Sequence, residues 1–427
     1  MGDPLQDLFD RIKKKHGKMS VGIASELIDD IPRIPTGIFW LDVDTGGGIP
    51  IGRTVEVVGL KSSGKSSLMA KTVASAQGLC RKCYTPITEW GEETRKRKVT
   101  HVDMATGEIK KIDEEYTARV ALDCANKCRT TGVGKKKHPG RMIVLWVDQE
   151  GTFTPDFYEN FGVDCDDLRL AQPETGEMAV DLVDAAIRTA SVDLIVVDSI
   201  AAMTPSVERE ASAMDLQVGL QARMVNKGLR VWTSSLNERD AKGETNCTLL
   251  LVNQFRTKIA SFYTGYTKPG GVGQEFATSI EIQLKSKDYQ YDMSGNPIWE
   301  EVEYFVEKNK VGRPKGGGRY RLCLMMHPAF DGTPDEHWRL PGDTWDDAVV
   351  LEVAEQRGIL KVSEDGKITI FGGEYAGQDD IRKAFLRKEA MYWKARNALI
   401  QMIINTPSDG KLKVKKSKKK KDGDDED

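Results

Sequence analysis

Apolar residues recur along this chain in two rhythms. Residues 5–16 (LQDLFDRIKKKH) set Leu5, Leu8, Phe9 and Ile12 at helical spacing, and Gly17 is a natural stop. TVEVVG at 54–59 alternates and is β-branched, which predicts a buried strand; SSLMAKTVASAQ at 66–77 predicts a helix behind it. MIVLWVD (142–148), DLIVVDS (193–199) and TLLLVNQ (248–254) are further apolar runs of strand length, with helices predicted at 176–190 and near 216–235. Strands alternating with helices specify an α/β fold: a mostly parallel sheet with helices on both faces. ATSIEIQLK (277–285) and EEVEYFVEKNK (300–310) add two strands, and residues 345–405 predict a small α+β module.

The rhythm fails at 79–140, a charged stretch with little apolar periodicity, which therefore predicts an insertion between the first core helix and the second core strand. It fails again at the end, where KLKVKKSKKKK (411–421) is basic and DGDDED (422–427) acidic, the pattern of a disordered tail. The domains expected are an N-terminal oligomerisation helix and linker (1–33), an ATPase-type core (34–78 and 141–330), the insertion (79–140), a C-terminal module (331–408) and the tail (409–427).

Composition narrows the class. At 427 residues the chain is long enough for two or three domains, and 39% apolar with 30% charged residues fits a soluble protein. No apolar run approaches the roughly 20 residues of a membrane span, and the first residues lack the apolar core of a signal peptide, so the cytoplasm is expected, with no membrane partner. With a net charge of −3, a nucleic-acid site must be a local patch. Of seven cysteines, Cys165, Cys247 and Cys323 are scattered, while Cys80/Cys83 and Cys124/Cys128 form two pairs. In a reducing compartment such pairs more often hold metal than disulfides.

The chemistry begins at GLKSSGKS, 59–66, a match to G-x-x-x-x-G-K-[ST] placed between a predicted strand and a predicted helix. Gly59 and Gly64 let the backbone wrap a phosphate, with Lys61, Ser62 and Ser63 in the loop and Ser67 in the first helical turn. Lys65 reaches the β- and γ-phosphates of a nucleotide such as ATP, and Ser66 takes Mg²⁺. LIVVDS ends in Asp198, placed to hold the Mg²⁺ shell at the carboxyl end of the sheet. VLWVDQEGTF (144–153) carries Asp148 and Glu150 beyond the other strand; Glu150, out in the loop, is the better candidate to polarise an attacking water.

In this order and spacing, the chain resembles the RecA family of strand-exchange recombinases, in its bacterial and phage branch, from about residue 5 to 400. The resemblance is carried by IPTGIFWLDVDTGGGIPIGRTVEVVGLKSSGKSS, DLIVVDSIAAMTP, GLQARM, VNQFRTKI and VEKNK. It implies a RecA-like P-loop ATPase fold that forms helical filaments on single-stranded DNA and exchanges strands with duplex DNA. Glu150 is then the catalytic glutamate, Asp198 the Walker-B acid, and Asn253 with Gln254 the polar pair that senses the γ-phosphate. Phe157 lies where the family often places an aromatic over the adenine. Lys308 and Lys310 match a lysine pair that reaches the neighbouring subunit's ATP. Two DNA loops are implied, near 207–217 and at 255–271. The second offers Arg256, Lys258 and Lys268 to phosphates and the open N–H groups of Gly270 and Gly271; by resemblance Ile259 wedges between base triplets, and Arg223 and Arg230 make backbone contacts. The family tends to put a basic residue before Phe276, where this chain has Glu275.

The insertion has no counterpart in the typical family core. Its spacing is C-x2-C, about forty residues, then C-x3-C, which suits tetrahedral Zn²⁺ on four thiolates in a zinc-ribbon-like module too small to fold on apolar burial alone. Its basic runs, RKRK at 95–98 and KKK at 135–137, suit DNA, a partner protein or plain solvation. Single-strand-binding or loader proteins are further expected partners. A RecA-like ring motor, or an ATP-switched loader without strand exchange, are the other functions this sequence allows.

Overall fold

The computed structural model describes residues 4–16, 31–102, 109–128, 130–131, 136–137, 140–210, 219–242, 247–257, 266–269, 273–328, 338–387 and 390–405. The chain divides into two compact units, 1–346 and 347–427.

The first unit opens with helix α1 (Pro4–His16), on which Leu5 and Leu8 are exposed. Strand β1 (Thr54–Gly59) leads through the phosphate loop into α2 (Lys65–Gln77). The insertion forms a hairpin of two 16-residue strands, β2 (Ile87–Val102) and β3 (Ile109–Cys124). The core resumes with β4 (Val144–Asp148), α3 (Pro155–Asn160), β5 (Arg169–Ala171), α4 (Gly176–Arg188), β6 (Leu194–Asp198), α5 (Leu220–Lys242) and β7 (Thr248–Gln254). A short helix α6 (Gly273–Ala277) precedes β8 (Ile280–Tyr291), β9 (Pro297–Asn309) and β10 (Gly316–Cys323).

Eight of these strands form one sheet in the order β10-β9-β8-β1-β7-β6-β4-β5. From β8 to β5 all neighbours are parallel; β9 is antiparallel to both β8 and β10. The central strands β4 and β6 are apolar up to their terminal acids because both faces are covered, while β1 carries a buried Glu56. In β4, Val144 and Trp146 join one core with Leu68, Met69 and Val73 of α2, while Leu145 and Val147 join a second with Val180 and Val183 of α4 and Leu229 and Trp232 of α5. This agrees with the α/β reading, and the core strands fall within a few residues of their expected bounds.

The insertion departs from expectation. Its hairpin pairs from Ile87↔Cys124 to Val102↔Ile109, with register shifts between Ile87 and Trp90, over about 50 Å at roughly 3.3 Å per residue. A free two-stranded ribbon is marginal in water, and its base is tied to the core. Trp90 lies between the Arg119 guanidinium, 4.1 Å from the ring centre, and that of Arg141 at 5.7 Å. Arg141 in turn binds Asp164 and Asp167, both at 2.7 Å.

The second unit holds α7 (Asp346–Gln356, which begins at the last residue of the first unit), a small three-stranded antiparallel sheet, α8 (Gln378–Leu386) and α9 (Ala390–Asn405) around Val350, Ile368, Ile370, Phe385, Tyr392 and Leu399. Residues 406–427, and with them the whole of the expected tail, lie outside the described residues.

Candidate ATP site, DNA surface and cysteine cluster

The carboxyl ends of β1, β4, β6 and β7 converge on one locality. The turn after β1 must be tight: a Cβ on Gly59 would stand 2.3 Å from Ser63 Oγ and 2.6 Å from the Leu284 carbonyl, so only glycine fits. Gly64 takes φ +81° at the N-cap of α2, a conformation glycine adopts without strain. The first N–H groups of α2 therefore face the loop with the positive end of the helix dipole. Lys61 and Ser62 are exposed on the loop, Ser66 and Ser67 half-buried in the first turn. Ser63 Oγ is buried without a hydrogen-bond partner, a polar group built for a ligand oxygen. Lys65 is buried; its Nζ donates to the Leu60 carbonyl at 2.6 Å and to that of Gly59 at 3.3 Å. Burial lowers its pKa, against the opposing pull of Asp198 and Glu150.

Asp198 ends β6, directly opposite Asp148 at the end of β4. Burial pushes its carboxyl up to about 7, reinforced by the charges of Glu150 and Asp148 and opposed by Lys65. The two neighbouring acids then divide their work. Asp148 Oδ1 accepts the backbone N–H groups of Glu150, Gly151 and Thr152, and its Oδ2 accepts that of Phe153 and Gln172 Nε2. It is a clamp on the loop. Glu150, held at the front of that loop, accepts Ser199 Oγ and Gln254 Nε2 at one oxygen, both at 2.6 Å. The structure thus brings together Lys65, Asp198, Glu150 and Gln254. The sequence offered Asp148 only as the lesser of two candidate acids, and Ser199, next to Asp198, was missed.

Asn253 does not join its neighbour Gln254. It is fully buried and its Nδ2 donates to Glu56 Oε1 at 2.8 Å, so the expected polar pair is split between two sides of the strand. Phe157 on α3 is partly exposed and packs edge-on against Tyr158 and at a tilt on Phe161. Lys308 near the end of β9 has its pKa lowered, first by burial and then by the adjacent Lys310, whose Nζ donates to the Phe276 carbonyl at 2.8 Å.

On the DNA side, Arg223 and Arg230 are both exposed on α5, and Lys227 lies between them at i+4. The three cations share one face and line a pocket of about 810 Å³ with Phe276 and Gly273. Lys227 was missed; its helical spacing to the two arginines is the signal that would have found it. Arg256 is exposed, its Nη2 touching the Ala201 carbonyl at 3.4 Å. Lys268 corrects the sequence reading: it turns inward and binds Glu56 and Glu281, at 3.0 and 2.6 Å, so its ammonium is not presented to a phosphate. Lys258, Ile259, Gly270 and Gly271, and residues 211–217 of the first loop, lie outside the described residues, as does the Glu275 side chain.

Beside the amino end of β4, where Cys80 bridges Arg141, the thiol sulfurs of Cys80, Cys83, Cys124 and Cys128 all lie within 4.8 Å of one another. Cys83 and Cys124 are 3.7 Å apart, against about 3.8 Å for two thiolates on one tetrahedral zinc with 2.3 Å bonds. At Cys83 burial acts upward but is outweighed by hydrogen bonds from Thr85, Cys128 and Cys80, which bring the thiol down to about 7; burial takes Cys80 up to about 12 and Cys128 to about 11. The cluster fits a tetrahedral thiolate metal. The basic run at 95–98 is offset across the hairpin, where Lys96 binds Glu115 at 3.1 Å and Arg97 and Lys98 are register partners of Glu114 and Asp113.

Comparison with known proteins places this geometry. A sequence model of the RecA N-terminal domain matches residues 4–94 and 130–321, leaving out most of the hairpin. Protein RecA of Syntrophus aciditrophicus is 28% identical over 384 residues, 88% of this chain and 87% of the relative. Protein RecA of Leifsonia xyli subsp. xyli is 30% identical over 326 residues, 76% and 72% of the two chains. That of Kineococcus radiotolerans is 32% identical over 306 residues, 71% and 68%.

Proposed function

The chain belongs to the RecA family and is a RecA-type recombinase, and from that premise we propose that it works as a DNA-dependent ATPase through the residues assembled above. The observation that carries the reading is the Glu150 carboxylate, held at 2.6 Å by both Ser199 and Gln254 at the carboxyl ends of the strands beside the phosphate loop. Gly59–Ser67 and Lys65 hold the nucleotide phosphates; the orphaned Ser63 hydroxyl supports that fit. Ser66 and Asp198 would hold Mg²⁺, which supplies neutralisation of phosphate charge. Glu150 orients the attacking water and accepts its proton. Gln254 is then a switch: a γ-phosphate competes with Glu150 for its amide, and the strand end moves with the outcome. Phe157 covers the base.

Lys308 and Lys310 face a neighbour's ATP in a filament. Lys310 lies close enough to Lys308 to lower its pKa, and two neighbouring ammonium groups together suit an added anion. The exposed Leu5 and Leu8 of α1 are the docking face for the next subunit. Single-stranded DNA lies along Arg223, Lys227, Arg230 and Arg256, continued by Lys258, Ile259, Gly270 and Gly271, and homology to duplex DNA is read by base pairing. Zn²⁺ on Cys80, Cys83, Cys124 and Cys128 fastens the base of the hairpin. The test is ATP hydrolysis by purified protein with and without single-stranded DNA, beside Glu150→Gln. Stimulation by DNA that vanishes in the variant is expected; DNA-independent hydrolysis would return weight to a motor or an ATP-switched loader.

A further inference from the structure

At the described base of the second DNA loop lies a buried charge cluster that ATP hydrolysis does not use. Glu56 on β1 and Glu281 on β8 are direct register partners in adjacent parallel strands, and both are buried. Like charges opposed across strands destabilise a sheet, and a buried carboxylate needs a counter-charge. Lys268 supplies it from outside the sheet, donating to Glu281 Oε2 at 2.6 Å and Glu56 Oε2 at 3.0 Å. The other oxygens are also taken: Glu56 Oε1 accepts Asn253 Nδ2 at 2.8 Å, and Glu281 Oε1 accepts Gln283 Nε2 at 3.1 Å. Asn253 Nδ2 further reaches the Pro269 carbonyl at 3.3 Å.

Three sites meet at this cluster. Lys268 stands on the return limb of the DNA loop, whose base is closed by the pairing of Arg256–Thr257 with Tyr266–Thr267. Asn253 is followed directly on β7 by Gln254, whose amide holds Glu150. Lys308 on β9 is the register partner of Glu281. An apolar plug could fill the same space, but it would let the loop slide. A cation shared by two fixed carboxylates has one geometry, so a displacement of the β7 end is passed on and not absorbed.

We propose that Lys268 is a positioning residue that couples nucleotide state to the DNA loop, with Glu56 and Glu281 as its fixed seat and Asn253 as the link to Gln254. The proposal rests on the reading of this chain as a DNA-dependent ATPase. When Gln254 shifts between Glu150 and a γ-phosphate, Asn253 moves with the strand end. Its contacts to Glu56 and Pro269 carry the shift to the limb that Lys268 pins. By the same path, DNA on the loop biases Gln254.

The test uses the full chain. Lys268→Met alone leaves two buried carboxylates without a cation, so it is paired with Lys268→Met/Glu281→Gln, which removes one charge of each sign. Thermal midpoint, DNA-independent turnover, KM for ATP, and turnover over a range of single-stranded DNA up to saturation are measured. For the double variant, DNA-independent turnover and KM for ATP are expected within about twofold of wild type, while stimulation at saturating DNA falls about tenfold, within the usual span of coupling between sites. Lys268→Arg, which keeps the cation, is expected to retain most of the stimulation. Wild-type stimulation in the double variant overturns the proposal. So does a weaker DNA affinity with full stimulation at saturation, which would make the cluster a scaffold for the DNA site alone. A wild-type protein that DNA does not stimulate overturns the underlying ATPase reading instead.

Discussion

Replacing Asp148 by Asn separates the positioning of the catalytic loop from its chemistry. Asp148 Oδ1 accepts N–H groups from Glu150, Gly151 and Thr152 at 3.1, 2.8 and 3.4 Å. Its Oδ2 accepts Phe153 N at 3.1 Å and Gln172 Nε2 at 3.0 Å. Asp148→Asn keeps the shape but removes the charge, and its new NH₂ group faces those last two donors. Gln172 can turn its amide and offer its oxygen; the Phe153 N–H has no such recourse. One stranded half-buried N–H costs about 1 kcal/mol, the low end for a buried one, and three bonds that lose a charged acceptor add about 1 kcal/mol together, so the expected loss is about 2 kcal/mol. The loop then no longer holds Glu150 in place, and a misplacement of about 1 Å costs about 10²-fold in rate. Urea unfolding and DNA-stimulated ATP hydrolysis are measured beside Glu150→Gln. In that control the substituted amide oxygen still accepts from Ser199 and Gln254. Its stability should stay within about 0.5 kcal/mol of wild type while turnover drops by about 10²–10⁴. Asp148→Asn should lose both. Wild-type turnover in Asp148→Asn, at whatever stability, would refute the clamp.

Protein purified without chelator should carry about one zinc per chain, and Cys83→Ser should abolish it and expose the hairpin base to protease, read by metal analysis and proteolytic mapping. Asp198, raised to about 7, favours the nucleotide-free fold while protonated. A carboxyl whose folded pKa lies above its unfolded one gives stability that is present below about pH 4 and lost as pH rises through about 7. Asp198→Asn should therefore stabilise the nucleotide-free protein at pH 8 and not at pH 4, while Mg²⁺-dependent nucleotide binding fails; equal effects at both pH values would contradict the assignment. Alanine at Arg223, Lys227 or Arg230 should each lower the salt slope of single-stranded DNA binding by about 0.7, and an unchanged slope at Lys227 would remove it from the DNA face.

What the sequence made legible follows from how each part is stabilised. The core strands were readable because β4, β6 and β7 are buried on both faces and so are apolar up to their terminal polar residues. Glu150, Asp198 and Lys65 were readable because the phosphate loop and the strand-end acids are local signals. The hairpin was not. Much of its length alternates charges across two strands, Arg97 with Glu114 and Lys98 with Asp113, so it has no apolar period to detect. Lys268 was misassigned for the opposite reason. A lysine in a Gly-rich loop reads as a phosphate ligand, and only the register of β1 against β8 reveals two buried carboxylates waiting for it. Asn253 and Gln254 were read as a pair because they are adjacent, yet a strand sends neighbouring side chains to opposite faces.

The position of the insertion follows the same logic of faces. Glu150, Asp198 and Gln254 stand at the carboxyl ends of the parallel strands. The insertion attaches at the amino ends: Arg141 and Ile143 lead into β4, and Asp193 leads into β6, where it binds Arg81 of the cysteine module at 3.2 Å. A five-residue parallel strand spans about 16 Å, so Arg81 and Arg141, at the amino ends, stand about one strand length from the phosphate loop. β4 and β6 join the two ends, and so does α2. Its first turn carries Lys65 and Ser66, and its last residue, Gln77, exchanges hydrogen bonds with the backbone of Asp164, the residue that also holds Arg141. A 13-residue helix is a rod of about 20 Å. A movement of the insertion's base would reach the ATP site along α2, β4 or β6. Its anchoring by Arg81, Arg141 and Trp90 works against such a movement, so the fold carries a 50 Å arm, about 3.3 Å per residue along 16-residue strands, on a fixed base at the end of the sheet away from the phosphate loop.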